Sequence, residues 1–261
     1  MRWSVFEFYS LLPAFLLVMF RVGGLMFATP LLNSLAVPRG VKLLLTAAMA
    51  LAVFPMTVPH LPTTLTLASA VGGLFGELVI GVFMGFCVSL VFLGVQLAAE
   101  IVGQQSGLGL GAVFNPMLET SSAEVVQFYY LVAVMVFLAA GGDHALIRTL
   151  LDSFTAVPPL AFTVTEDLVS LLTDMLSISF ALAIRVGGPM ILALLLAFLV
   201  LGFISRTVPQ LNILTVGFPL KLVAALAVMA LTIVSMESVL ADGFASCMEK
   251  IRLALGMDNV G

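Results

Sequence analysis

Six ionisable side chains stand in or beside long apolar runs: Arg21, Arg185 and Lys221, with Glu77, Glu100 and Glu237. A charge at the centre of a membrane helix costs about 2.5–3.5 kcal/mol on insertion scales, so each of the six should face protein or water. Two kinds of chemistry fit such residues. Opposite charges can neutralise one another across helices, fixing helix register and subunit contacts, or they can pass a proton or an ion. A relay favours clustered carboxylates or histidines, and these six are scattered along the chain. Catalytic patterns are absent from the sequence. Neither His60 nor His144 belongs to an HExxH pair, and there is no GxSxG elbow or GxxxxGK[ST] loop. Asp143-His144 offers a base beside an orienting group, but directly after Gly141-Gly142 the histidine reads as the anchor of a turn. No enzyme activity, cofactor or metal site is expected.

The densest signal lies between Glu100 and Pro116. Gly103, Gly107 and Gly111 recur every fourth residue, with Gly109 added. On a helix that spacing makes a bare stripe suited to close helix contact. The same glycines weaken any helix, by about 1 kcal/mol each relative to alanine, and Pro116 forbids simple continuation. A long apolar segment therefore leads into backbone spotted with Gln104, Gln105, Ser106 and Asn115. At membrane depth such backbone is tolerated only where it is buried in protein or lines a water-filled cavity. The segment reads either as a pore-lining or pore-plugging element or as a plain loop between two spans. Leu108, Leu110, Val113, Phe114 and Met117 would give a plug an apolar, deformable constriction.

The elements that position these residues follow from composition. Of 261 residues, 62% are hydrophobic and 9% charged, and mean hydropathy is +1.23. Soluble domains carry roughly 25% charged residues, so this chain could not cover a water-facing surface. A formal net charge of −4 without a basic tail argues against nucleic acid as a partner. Cys87 and Cys247 form neither a disulfide framework nor a metal pair and read as packing residues. Apolar segments cover about 9–32, 41–56, 70–99, 125–142, 177–205 and 211–240, and the uncharged runs 78–99 and 186–205 reach the ~20 residues of one bilayer crossing. Helix is the expectation throughout, giving an all-α membrane-type fold of packed hairpins, because open strands leave their backbone groups unsatisfied in lipid.

Loop charges give no orientation. With six alternating spans, Arg39, Lys42 and Arg206 fall on one side, against Arg2, Arg148, Lys250 and Arg252 on the other. That balance implies either a different span count or helices that do not cross the bilayer in simple alternation. One internal echo is visible: Arg21-Val22-Gly23-Gly24 and Arg185-Val186-Gly187-Gly188 each set an arginine before a Gly-Gly step inside an apolar run.

An ordered set of motifs over nearly the whole chain resembles the FliR family of flagellar export-gate proteins, and the corresponding injectisome subunits of type III secretion. The set comprises Arg21 with Pro30, Val37-Pro38-Arg39-Gly40-Val41-Lys42, Gly76-Glu77 with Gly81 and Gly85, and Glu100-Ile101-Val102-Gly103-Gln104-Gln105-Ser106-Gly107. It continues through Phe114-Asn115-Pro116, Gly142-Asp143-His144, Asp152-Ser153-Phe154, Pro209-Gln210-Leu211-Asn212 and Gly217-Phe218-Pro219-Leu220. Asn115 stands where relatives often carry Asp, and Asp143 is an addition.

The resemblance implies a non-enzymatic core subunit of the flagellar protein export gate, in the bacterial inner membrane at the flagellar basal body. It implies FliP-like and FliQ-like partners, a FlhB-like neighbour, surrounding lipid, and unfolded export substrates in transit. It further implies a FliP-like region over 1–176 and a FliQ-like hairpin and tail over 177–261. A plug at about 104–124 would contain Gln104, Gln105, Gly107, Leu108, Gly109, Leu110, Gly111, Val113, Phe114, Asn115, Pro116 and Met117. The alternatives are an injectisome gate subunit that exports virulence effectors, and a small-solute transporter using Glu77, Glu100 and Arg185.

Overall fold

The computed structural model describes residues 5–30, 38–57, 67–106, 123–161, 166–207 and 213–257. Seven α-helices lie among them and no strand: α1 (Val5–Ala28), α2 (Arg39–Thr57), α3 (Leu67–Ser106), α4 (Ala123–Ala139), α5 (Gly142–Ala156), α6 (Glu166–Thr207) and α7 (Ile213–Ala254). The fold is all-α, as the apolar runs require. Helix α5 was not among the six expected segments. Its sequence alternates Asp143, Arg148 and Asp152 with buried Leu146, Leu150 and Phe154, so it is amphipathic and too polar for a hydropathy criterion. The turn before it also differs from expectation. Gly141 makes that turn, in the left-handed region at φ 70°, and His144 lies inside the first turn of the helix.

Helix length separates the number of helices from the number of crossings. At 1.5 Å per residue the 42-residue helix α6 runs about 63 Å, roughly twice the hydrocarbon thickness of a bilayer, and α7, of the same length, bends by 52° between Ile233 and Ser235. Among the described residues three helices are long and apolar enough to span, Arg39–Thr57, Val71–Ser106 and Leu168–Thr207, or up to five spans if each bent helix pair counts as one. Their best windows differ sharply in how much the chain itself covers, 61% for α3 against 22% for α2 and 17% for α6. Helix α3 is thus largely covered by the chain, whereas α2 and α6 leave most of their apolar surface uncovered.

The chain forms two compact units. The first comprises residues 1–90, 141–175 and 245–261. In it α1 runs antiparallel to α2, with Phe15 edge-on to Phe54 at 5.6 Å between ring centroids. The buried stripe of α2 is narrow, formed by Thr46, Ala50, Val53 and Thr57. Helix α1 runs parallel to α3 at backbone contact. A methyl group added at Gly24 would lie 2.6 Å from the Leu78 carbonyl oxygen, one at Gly85 would lie 2.7 Å from the Leu25 carbonyl oxygen, and one at Gly81 would collide with the Arg21 carbonyl oxygen. Ser89 continues that stripe by donating to the Ala28 carbonyl at 2.5 Å. Small residues every fourth position let two helices approach to this distance, where dispersion and short polar contacts hold them in lipid.

The second unit comprises residues 91–140 and 176–244. Its core is aromatic: Phe92, Phe137 and Phe244 pack with centroids 4.9–5.7 Å apart. Tyr129 of α4, itself buried, donates its hydroxyl hydrogen to the Met190 sulfur of α6 at 3.2 Å and lies 3.4 Å from the Thr232 hydroxyl of α7. Helices α6 and α7 run antiparallel, since Leu182 meets Gly243 and Lys221 lies over the Phe198 ring at 5.5 Å.

Candidate functional site

Within the first unit, the sequence concentrates its polar chemistry on one residue. Arg21 sits in mid-helix on α1 with no solvent exposure. Its Nε donates to Glu77 Oε2 of α3 at 2.6 Å. Its Nη1 donates to the Ser153 carbonyl at 2.8 Å and the Ser153 hydroxyl at 3.2 Å, and its Nη2 donates to the Val157 carbonyl at 3.0 Å. The Phe154 ring lies against the guanidinium, 4.3 Å from Cζ to centroid. Glu77 uses its second oxygen to accept the Leu160 backbone N–H at 3.2 Å.

Each partner has a local reason to be there. Helix α5 ends because Pro158 and Pro159 cannot continue it; the Ser153 carbonyl keeps the Val157 N–H at 3.0 Å, and the carbonyls after it need donors from outside the helix. Arg21 donates to the Val157 carbonyl and adds a second donor to that of Ser153, and its positive charge sits at the negative end of the helix dipole. The guanidinium fork is what permits this, because its donors point at several acceptors in one plane. The chain then turns through Leu160 at φ 74°, a conformation costly for a residue with a Cβ. The Glu77 hydrogen bond holds that turn, and the Leu160 side chain covers Gly73 of α3. Arg21 and Glu77 therefore tie α1, α3, the end of α5 and the following turn into one junction. Its chemistry is positional: a paired buried charge, each guanidinium nitrogen hydrogen-bonded, that fixes helix register. Among the described residues no buried side-chain polar atom lacks a partner.

The other expected charges are placed differently. Glu100, half-buried on α3, accepts a hydrogen bond from Gln104 Nε2 one turn on, at 2.9 Å. Lys221 is half-buried against Phe198. Arg185 on α6 and Glu237 on α7 are exposed and make no ion pair among the described residues. Of the six, only Arg21 and Glu77 are brought together as an ion pair. The two arginines of the internal echo thus have opposite environments, one sealed and one open. Of the expected plug, Gln104 and Gln105 are exposed on the last turn of α3, while Gly107, Leu108, Gly109, Leu110, Gly111, Val113, Phe114, Asn115, Pro116 and Met117 lie outside the described residues. Gly103 and Ser106 are helical, so α3 includes the first residues of the glycine-rich segment. Among the described residues no group of three His, Cys, Asp or Glu could hold a metal ion.

Sequence reasoning assigned no role at this junction to four contributors, among them Phe154, whose ring lies against the Arg21 guanidinium. Ser153 and Val157 act partly through backbone carbonyls, which leave no trace in residue type. Leu160 acts through its N–H. The stripe Gly81, Gly85, Ser89 was readable, since small residues spaced by four in an apolar run signal a tight helix contact. Two weaker pairs close the first unit at the end of α7: Arg252 with Asp152 at 3.4 Å, and Lys250 with Asp174. Both are partly exposed, where an ion pair contributes about 0–1 kcal/mol.

Comparison with known proteins bears on the whole chain. Residues 12–247 match the family described as bacterial export proteins, family 1. The chain is 28% identical over 235 residues to the flagellar biosynthetic protein FliR of Caulobacter vibrioides, covering 87% of this chain and 91% of that one. It is 30% identical over 210 residues to FliR of Escherichia coli K12, covering 80% of each. It is also 28% identical over 153 residues to the surface presentation of antigens protein SpaR of Shigella sonnei, covering 59% of each.

Proposed function

The chain belongs to the bacterial export proteins, family 1, and we propose that it is the FliR-type core subunit of a flagellar type III protein export gate. In this reading it assembles with FliP-like and FliQ-like subunits, beside a FlhB-like subunit, into a pore in the inner membrane at the flagellar basal body. Unfolded flagellar proteins pass through that pore. The chain is a structural component of the gate, without catalytic chemistry of its own. The observation that carries the reading is likeness to FliR over 87% of the chain. The outward apolar surfaces of α2 and α6, which the chain leaves largely uncovered, support it because a subunit of a helical assembly needs such surfaces.

Residues 1–176 would play the FliP-like part and 177–261 the FliQ-like hairpin. The segment about 104–124, which begins on the exposed last turn of α3 at Gln104 and Gln105, would close the resting channel. A strain lacking the gene tests the function: loss of filament export and motility, restored by the gene in trans, is the expected result. Normal flagella in that strain would remove the proposal.

A second reading rests on the SpaR match, which covers a smaller share of the chain than the FliR matches do. An injectisome subunit would leave motility intact on deletion and abolish effector secretion.

A further inference from the structure

We propose that the α6–α7 hairpin carries a hinge at Gly188-Pro189 of α6 and between Ile233 and Ser235 of α7, and that the Tyr129 hydroxyl of α4 is the latch that holds it. The hinge stands apart from the export-gate reading: it concerns how this chain moves, whatever it assembles with.

Both helices are weakened at one level. Met190 and Thr232 meet the same hydroxyl, that of Tyr129, at 3.2 Å and 3.4 Å, so the adjacent Pro189 and Ile233 stand at the same height in the hairpin. On α6, Pro189 has no N–H to give the Arg185 carbonyl, and Gly187-Gly188 before it hold a helix poorly. A Cβ at Gly188 would have no atom within 4 Å, so packing does not require a glycine there. On α7, Thr232 turns its hydroxyl hydrogen back to the Val228 and Met229 carbonyls at 3.0 and 3.1 Å, and Ser235 donates to the Thr232 carbonyl at 3.0 Å. Hydroxyls bonded back to the preceding turn bend helices, and α7 bends by 52° at this point.

The two sides of this level are held unequally. On one side Phe92, Phe137 and Phe244 pack α7 against α3 and α4, and a methyl group at Gly94 of α3 would collide with the Ser179 carbonyl oxygen of α6. On the other side, of residues 191–207 of α6 only Leu194 and Leu201 are buried, and of residues 219–231 of α7 only Ala225 and Met229. Segments with so few buried contacts move at low cost. Tyr129, whose ring is itself buried, ties both helices at the boundary. The Thr232 hydrogen is used within α7, so its oxygen accepts, and the single Tyr129 hydrogen is shared between that oxygen and the Met190 sulfur. Sulfur is a weak acceptor and 3.4 Å is long for an O–H···O bond, so the tie is one that opens and closes.

Distances between spin labels on the full chain in detergent test the hinge. Labels at Leu131→Cys and Phe203→Cys, both exposed positions, span it, and labels at Leu131→Cys and Leu176→Cys stay on its well-packed side; Cys87 and Cys247 are buried and remain unlabelled. Phe203 stands about 20 Å beyond Met190 along α6, so a swing of about 20° carries it about 7 Å. The wild type is expected to give one narrow distance peak for the spanning pair. Tyr129→Phe should broaden that peak by about 7 Å or more while the second pair stays narrow, and Thr232→Val, which removes the same contact from α7, should do likewise. Adding Gly188→Ala and Pro189→Ala to Tyr129→Phe restores a regular helix across α6 and should narrow the peak again. An unchanged peak in Tyr129→Phe would overturn the proposal. So would equal broadening of the second pair, which marks general loosening, or broadening that survives the two alanines, which places the bending elsewhere.

Discussion

Arg21 and Glu77 lie 56 residues apart in sequence, yet Nε and Oε2 meet at 2.6 Å with both side chains sealed from solvent. The pair closes a junction to which α1 and α3 contribute side chains and the end of α5 contributes carbonyls. A buried ion pair of this kind is weak evidence for net stability, because desolvation offsets much of the attraction. Its importance lies in what its loss leaves behind. Removing the arginine leaves the buried Glu77 carboxylate without its cation and the Val157 carbonyl without this donor, while the Ser153 carbonyl keeps the Val157 N–H.

Arg21→Ala is expected to destabilise the chain by about 3–5 kcal/mol, the range for breaking one side of a buried pair. Arg21→Lys should recover little, because an ammonium lacks the planar fork that reaches Glu77, Ser153 and Val157 together. Adding Glu77→Leu to Arg21→Met should cost clearly less than the sum of the two single changes. Denaturant titration of the detergent-solubilised protein reads all of these, and strict additivity would show that the pair is not coupled.

Gly81→Ala is expected to lower stability well beyond Gly72→Ala. At Gly81 the new methyl meets the Arg21 backbone carbonyl, which cannot move without shifting α1. At Gly72 nothing lies within 4 Å, and the change should be neutral or stabilising by up to about 1 kcal/mol through helix propensity. Thermal unfolding of the two variants side by side checks the contrast.

Leu160→Ile should cost about 1–2 kcal/mol, because a β-branched residue tolerates φ 74° poorly. Leu160→Gly relieves that strain while giving up the contact over Gly73, and should fall nearer the wild type. Limited proteolysis in the turn after α5 is a direct readout, with faster cleavage expected for Leu160→Ile. Equal cleavage in both variants would show that backbone strain does not govern this turn.

In the second unit, Tyr129→Phe should cost about 0.5–1.5 kcal/mol, the net value of a typical hydrogen bond. The ring stays buried and only its contacts to Met190 and Thr232 are lost. Met190→Leu in the Tyr129→Phe background should then add less than it does in the wild type, which a double-mutant cycle measures.

On the proposed export-gate reading, deleting residues 106–118 is expected to make the closed gate conduct small ions while leaving assembly with its partners intact. Conductance across bilayers containing the purified complex checks this, and an unchanged resting conductance would remove these residues from the plug.

How much of this was legible in the sequence differs from one residue to the next. The uncharged run 78–99 announced α3, and the period-four small residues announced its close contact. Leu146, Leu150 and Phe154 carried a helical period too, but charges diluted their hydropathy, so α5 went unread. The six embedded charges were visible one by one. That Arg21 would find Glu77, while Arg185 stayed open, was not visible, although both arginines precede the same Val-Gly-Gly.

The sequence by itself determined an all-α, membrane-type chain and its membership of an export family. Helix formation and apolarity are local properties, summed over a few turns and readable from composition and spacing. Only the tertiary structure decided which charge is sealed, which backbone carbonyls meet it, and that α3 is largely covered while α2 and α6 are left mostly uncovered. Those outcomes depend on which helices meet across separations of 56 to 136 residues. A buried charge takes whatever donors and acceptors the topology brings within about 3 Å, backbone groups included, and residue type does not encode them.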